Sequence, residues 1–479
     1  MTQPTVKNAS KSADTQAGQT LILAAAARRL AQTLHTAFRG RWEALPGAST
    51  PPQPTPEYQA APVPVDLIGR RAELIVEASD LAALNNALSS DADALVIDFD
   101  DTFTPTLANV QAAYDALPRA AASDKPLLAR PRAFYAVEQH LDFGGPAIAA
   151  FTDLAVILAA RPEQPIHIYV PKLETVAEAQ LWDDALSLAE RELGLAPNTI
   201  KVCIQIETFL AVQHADALLY ALRGRAFGLN AGRWDYVFSL IKAVGSQRGA
   251  VPPRSDLTMD VDAMRAYAEA LLRVAQRRGA QAIGGSAAVA PDAANPQPAL
   301  DLVQADKRRE AQQGFTAAWA GLPMLLGDVR AGFDGEAPAP LSAEPVEHTL
   351  KRLLDLPAPQ PLPLDVLQDT IGLALDVFEA WYAGQGVVVR NGRIEDTATA
   401  ELARAQVWQW VSCAAQLSSD AFLTPDRYRT ERRALRADDT PEAQLLDALV
   451  LAETCPAYFP RFAQQLAARE PLPTQEMPV

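Results

Sequence analysis

Cysteine and histidine, the two most versatile metal and nucleophile side chains, are scarce, with 3 Cys and 5 His in the chain. Cys203, Cys413 and Cys455 are far apart and form no C-x-x-C pair, which excludes a disulfide framework and a thiolate zinc site and fits a reducing compartment. His35, His140, His167, His214 and His348 are scattered without an H-E-x-x-H, so a zinc hydrolase is not indicated. His167 lies inside an apolar run and reads as a satisfied core residue. No G-x-S-x-G, G-x-x-x-x-G-K-[ST] or G-x-G-x-x-G occurs, and serine hydrolases, P-loop nucleotidases and dinucleotide binders lose their support. No stretch reaches about 18 apolar residues and Met1 to Gln19 is polar, so neither a membrane span nor a signal peptide is expected, and the cytoplasm is the expected address. Positive charge is in deficit. Lys plus Arg is 42 against 58 Asp plus Glu, a formal charge of −16, which disfavours nucleic acid and anionic membranes as partners. Any anionic substrate must be met by a local arginine.

Hydrophobic residues at 49% and charged residues at 21% are those of a folded globular chain, and 479 residues allow two to four domains. Residues 1–60 read as a disordered lead to about residue 19, a helix over Leu21 to Arg39, and the start of an arm whose prolines, Pro46, Pro51, Pro52, Pro54 and Pro56, continue across the boundary to Pro62 and Pro64 and which no helix accommodates. Residues 61–335 alternate β-favouring runs with helical stretches. The runs are Ala72 to Val76, Ala94 to Phe99, Pro126 to Arg130, Leu154 to Leu158, Ile166 to Val170, Lys201 to Ile206, Arg225 to Leu229 and Gln281 to Gly285. Eight such units predict a parallel (β/α)8 barrel, with an open doubly wound sheet as the alternative. A second proline-rich linker occupies 336–363, and 364–479 is helical by periodicity, an all-helical C-terminal domain. Nothing in the chain sets an oligomeric state.

In a parallel barrel the chemistry sits at the C-terminal ends of the strands, so the residues directly after each run matter most. The second run ends in Asp98, Asp100 and Asp101, the third in Arg130 and Arg132, the fifth in Lys172 and Glu174, and the sixth in Glu207. The seventh leads through Asn230 to Arg233 and Asp235, and the eighth ends in Gly284 and Gly285. Glu207 and Asp235, carboxylates from separate strands, suit a hard cation such as Mg²⁺, and an arginine beside them suits a carboxylate or an enolate oxygen. Taken singly, each of these residues also reads as a solvated loop charge or an ion pair closing the barrel mouth.

The segments PVPVDLIGRRAEL (62–74), IDFDDTFTPTLANV (97–110), LLARPR (127–132), YVPKLETVAEAQLW (169–182), IQIETFLAV (204–212), LNAGRWDYVFSLIK (229–242), RRGAQAIGGSAAVAP (277–291) and NGRIEDTATAELARAQVWQW (391–410) resemble, in order, those of malate synthase in its short, A-type form. The resemblance implies a TIM barrel with an N-terminal helical clasp and a C-terminal helical domain over the strand ends. It also implies Mg²⁺-dependent condensation of acetyl-CoA with glyoxylate, followed by hydrolysis to malate and CoA in the glyoxylate bypass. By position in the motifs, Arg130 falls on the catalytic arginine, Glu207 and Asp235 on the magnesium ligands, and Asp396 on the general base. Gly232, Arg233 and Trp234, with Arg130, Glu207 and Asp235, fall on the substrate-binding segment. Asp396 taken alone reads as a helix N-cap, because Thr397 opens a helical run.

The chain also departs from the family. Where the family has His-Asp-Gly-Thr-Trp-x-x-His-Pro, this chain has QQGFTAAWAGLP (312–323). Ala133, Phe134 and Tyr135 replace Gly-Trp-His, Ser286 replaces a Met, and Val387 to Val389 replace the segment with a Cys before the base motif. These positions belong to the acyl-CoA half of the family's site, so two other readings stay open: a Mg²⁺-dependent barrel lyase or aldolase acting on another 2-oxo acid or acyl-CoA, and a noncatalytic paralogue.

Overall fold

The computed structural model describes residues 20–47, 55–164, 166–336 and 338–467. The lead expected to be disordered, part of the first proline-rich arm and the last twelve residues of the C-terminal span (468–479) lie outside the described residues. Eight parallel strands form the barrel: β1 (Ala72–Glu77), β2 (Ala94–Asp98), β3 (Leu127–Arg130), β4 (His167–Val170), β5 (Val202–Ile206), β6 (Ala226–Ala231), β7 (Gln281–Ile283) and β8 (Ala318–Ala320). Sheet order runs β8-β1-β2-β3-β4-β5-β6-β7. The ring closes through parallel bridges Ile283 to Ala317 and Ala287 to Ala320, with Gly284 N–H donating to Ala317 O at 2.7 Å. Strands β2, β3, β4 and β5 are buried along their whole length, as expected of parallel strands covered on both faces.

One predicted strand is not a strand. Leu154 to Leu158 lies inside the helix Ala149–Ala160, and the eighth barrel strand is Ala318–Ala320. The sequence AAFTDLAVILAA is apolar on every face because the helix is wedged between the N-terminal helix Ala25–Glu43 and its barrel neighbours, so it shows no helical stripe. The true strand, AWA, has no β-branched residue to mark it.

The helix Ala25–Glu43 buries Ala27, Leu30, Ala31, Leu34 and His35 against the barrel's outer layer. His35 Nε2 accepts from Ile148 N–H at 2.8 Å, and burial lowers its pKa to about 4, so it is a neutral packing residue. The C-terminal part holds the helices Leu364–Tyr382, Thr397–Ser412, Pro425–Leu435, Pro441–Val450 and Phe459–Ala467 around a separate apolar core that includes Leu367, Ile371, Phe378, Trp410 and Leu446. Thr397–Ser412 is buried almost throughout because it packs on Leu364–Tyr382 on one side and on the barrel helix Arg233–Val244 on the other. That contact fixes the C-terminal helices over the strand ends. No described helix is long and apolar enough to cross a membrane.

Candidate active site

A cavity of about 710 Å³ opens at the C-terminal ends of the strands. Arg130, Glu207, Gly232, Arg233, Trp234, Asp235 and Asp396 all line it, so the structure brings together every residue singled out from the sequence as catalytic, metal-binding or substrate-binding.

Local chain geometry aims each group. Glu207 follows β5, where Thr208 caps the next helix by accepting from Ala211 N–H at 3.0 Å. Strand β6 runs into Gly232, the N-cap of Arg233–Val244, which puts Asp235 in that helix's first turn, where the positive end of the helix dipole favours an anion. A Cβ on Gly232 would stand 2.4 Å from Glu207 Oε2, so only glycine leaves room for that carboxylate. Lys172, directly after the Val170–Pro171 end of β4, has a left-handed φ of 52°, uncommon for a side-chain-bearing residue, and its N–H donates to Glu207 Oε1 at 2.8 Å.

Arg130 is held by Asp98 through two parallel bonds, Nε to Oδ1 at 2.5 Å and Nη2 to Oδ2 at 2.6 Å, and by Asp101 at 2.8 Å. Its fourth N–H reaches Gln205 Oε1 at 3.4 Å, leaving one of five N–H groups without a partner among the described residues. Burial would raise the Asp98 carboxyl, but the charge and hydrogen bonds of Arg130 bring it below the usual carboxylate range. Arg132, two residues on, points the other way. It pairs with Asp153 at 2.7 Å and Glu138 at 2.9 Å, an ion cluster that ties β3 to its outer layer.

Asp101, Glu207 and Asp235 each offer an oxygen within 4.8 Å of the others, a buried acidic group that could hold a metal ion. The sequence reading placed Asp101 at a strand end but not among the ligands; its position beside the β2 aspartates was the available signal. Burial raises Glu207 to about 7, and burial with the Asp101 charge raises Asp235 well above the carboxylate range. Lys172 Nζ offsets part of this crowding at 2.7 Å from Asp100, 2.6 Å from Asp101 and 3.4 Å from Asp235. Asp235 Oδ1 remains buried with no hydrogen-bond partner among the described residues. An orphaned carboxylate oxygen among hard donors fits an oxygen-seeking cation.

Asp396 comes from outside the barrel. It is the N-cap of Thr397–Ser412 that its neighbours predicted, accepting from Thr399 N–H at 3.2 Å, and it also lines the cavity. Burial, then the nearby Asp101 charge, raises its pKa to about 7. Sequence reasoning missed the contribution of the helix Gln297–Gln313, from which Asp306, Arg309 and Glu310 also line the cavity. Its apolar positions are too few to have marked which face turns inward.

Residues 126–348 match the family model "Malate synthase, TIM barrel domain" and residues 364–435 match "Malate synthase, C-terminal". The malate synthase of Streptomyces clavuligerus is 34% identical over 448 residues, covering 85% of this chain and 82% of that protein. Malate synthase A of Escherichia coli (strain K12) is 31% identical over 418 residues, covering 78% and 76%. The solved structure of a Haloferax volcanii malate synthase ternary complex with pyruvate and acetyl-CoA superposes with a TM-score of 0.50 at 15% identity, covering 71% of this chain and 90% of that one, a likeness of fold.

Proposed function

The chain belongs to the malate synthase family, and we propose that it condenses acetyl-CoA with glyoxylate to malate and CoA through the residues gathered at the barrel mouth. The observation that carries this reading is the convergence of the Asp396 carboxyl, the buried Arg130 guanidinium and three clustered carboxylates on one cavity. Glu207 and Asp235, with Asp101 beside them, are the residues that would hold Mg²⁺. When bound, Mg²⁺ supplies a Lewis acid that polarises the glyoxylate carbonyl and compensates its carboxylate.

Asp396 takes a proton from the thioester methyl group. Its carboxyl is well suited because its raised pKa narrows the gap to a weakly acidic carbon while leaving a working fraction ionised at neutral pH. Arg130 donates its free N–H to the developing enolate oxygen, and Asp98 prevents the guanidinium from turning away as charge develops. The enolate carbon attacks the glyoxylate carbonyl, and water then cleaves the thioester to free CoA. Three free thiols support a reducing compartment, such as the cytoplasm, and the malate synthase relatives support a place in the glyoxylate cycle.

The test is to mix the protein with acetyl-CoA, glyoxylate and Mg²⁺ and follow free thiol. The expected result is CoA release that requires all three. Release with another acyl-CoA or 2-oxo acid but not this pair would turn the reading to a lyase or a different condensing enzyme, and no turnover with any pair would favour a noncatalytic role.

A further inference from the structure

The barrel interior carries a buried polar chain that the reaction as described does not use. Glu73 on β1 and Trp319 on β8 are register partners, so both side chains point into the barrel from the same level. Glu73 is fully buried and is held by Arg70, whose Nε–H donates to Glu73 Oε1. The other Glu73 oxygen accepts from Tyr169 Oη at 2.7 Å and from the Trp319 indole N–H at 3.1 Å. Tyr169 meets the Trp319 ring edge-on, with centroids 4.9 Å apart at 87°. The indole is thus fixed at its nitrogen and along its edge. The Arg130 guanidinium carbon lies 5.2 Å from the centre of that ring, within cation–π range, and both residues line the cavity.

Asp98 and Asp101, with Gln205 at a longer distance, hold Arg130 through N–H groups that lie in the guanidinium plane, and such bonds resist motion within the plane more than motion out of it. A ring face against the guanidinium removes that freedom. We propose that Trp319 is a positioning residue for Arg130, and that Glu73, itself locked by Arg70, sets the orientation of the indole. The inference rests on the reading of Arg130 as the group that meets the enolate. It also gives the one large side chain of strand β8 a role as the platform beneath the arginine.

Two measurements test it together. The first is the Arg130 Nε–H proton resonance in protein labelled at arginine, assigned by its loss in Arg130→Lys; the buried bond to Asp98 protects this proton from exchange. It is expected to carry an indole ring-current shift that disappears in Trp319→Ala and changes in Glu73→Gln. The second is turnover: Trp319→Ala is expected to lower kcat by ~10- to 100-fold with KM for glyoxylate changed less than about threefold, as for a loss felt in the transition state. Trp319→Phe should recover part of that loss, and in an Arg130→Lys background Trp319→Ala should add little, because residues acting through one another are not additive. An unshifted resonance in the wild-type protein, or losses that multiply in the double variant and track the thermal midpoint alone, would overturn the proposal. A wild-type protein that releases no CoA yet shows the shifted resonance would retain the platform and remove the proposed reaction instead.

Discussion

The floor and the rim of the cavity are built in opposite ways. On the floor, Asp98 ending β2 and Asp101 after it, Arg130 on β3, Lys172 after β4, Glu207 after β5 and Asp235 after β6 are all buried; ion pairs of 2.5 to 3.4 Å tie all but Glu207, which accepts from the Lys172 backbone N–H at 2.8 Å. The rim, residues 384–398, departs from the all-helical expectation for the C-terminal part: it holds a short antiparallel hairpin, Val388–Arg390 with Arg393–Glu395, between the helices Leu364–Tyr382 and Thr397–Ser412, and its Val389 is exposed. A few backbone bonds tie it to the barrel: Thr397 N–H to Asp101 O at 3.1 Å, Ile394 N–H to Ala288 O at 3.1 Å and Ala290 N–H to Gly392 O at 2.9 Å, with Asn109 Nδ2 donating to Gly384 O at 2.8 Å. Fixed charge is therefore preorganised where it must stabilise an anion, whereas the proton acceptor is supplied by a separate part of the chain that is docked on the barrel, so the site is complete only where the two parts meet.

The largest expected effect separates the two regions cleanly. Asn caps a helix about as well as Asp, so Asp396→Asn should leave the cap and the thermal midpoint nearly unchanged. Without a base, CoA release should fall by ~10²- to 10⁴-fold, while Mg²⁺ binding on the floor, read by calorimetry, stays as in the wild type. A variant that loses its fold or its metal binding along with turnover would show that Asp396 is a cap and no more.

A smaller effect is expected where rim meets barrel. A Cβ on Gly386 would lie 1.9 Å from the Thr102 carbonyl oxygen, a backbone atom that cannot swing aside. Gly386→Ala must therefore lift the loop off the strand end and carry Asp396 with it. Turnover should fall by ~10- to 100-fold, the order expected when a catalytic group is misplaced by about 1 Å. Mg²⁺ affinity should again hold, and unchanged turnover would show that the rim closes by some other contact.

The floor was far more legible in the sequence than its supports. A place at the end of an apolar run put Arg130 and Glu207 among the candidates, with Asp235 a few residues beyond its run, because the strand ends of a parallel barrel face the mouth, although Arg132 after the same run as Arg130 turns to the outer layer. Asp396 was visible as a cap from its neighbours and as a base only through the family resemblance, since a cap and a catalytic carboxylate have the same local pattern. The helix Ala149–Ala160 was misread as containing a strand because full burial erases periodicity. Strand β8 went unseen because two alanines flank its tryptophan, and with it the Trp319 and Glu73 pair, a relation across 246 positions that no local pattern encodes.

The smallest effect couples the two regions through charge. With Asp396 raised to about 7 by burial and by Asp101, the ionised fraction falls about tenfold per pH unit below that value, so turnover should rise through pH 7 and level off above it. Stability moves in the opposite direction. The folded protein holds this proton up to about pH 7 while the unfolded chain releases it near pH ~4, so the group's contribution is full below that lower value and is lost as pH rises through 7. Asp101→Asn removes a nearby negative charge and should ease ionisation of Asp396, moving the acid limb of the rate profile to lower pH. A limb that stays in place would mean that burial alone sets the base, and that floor and rim share a cavity without sharing a field.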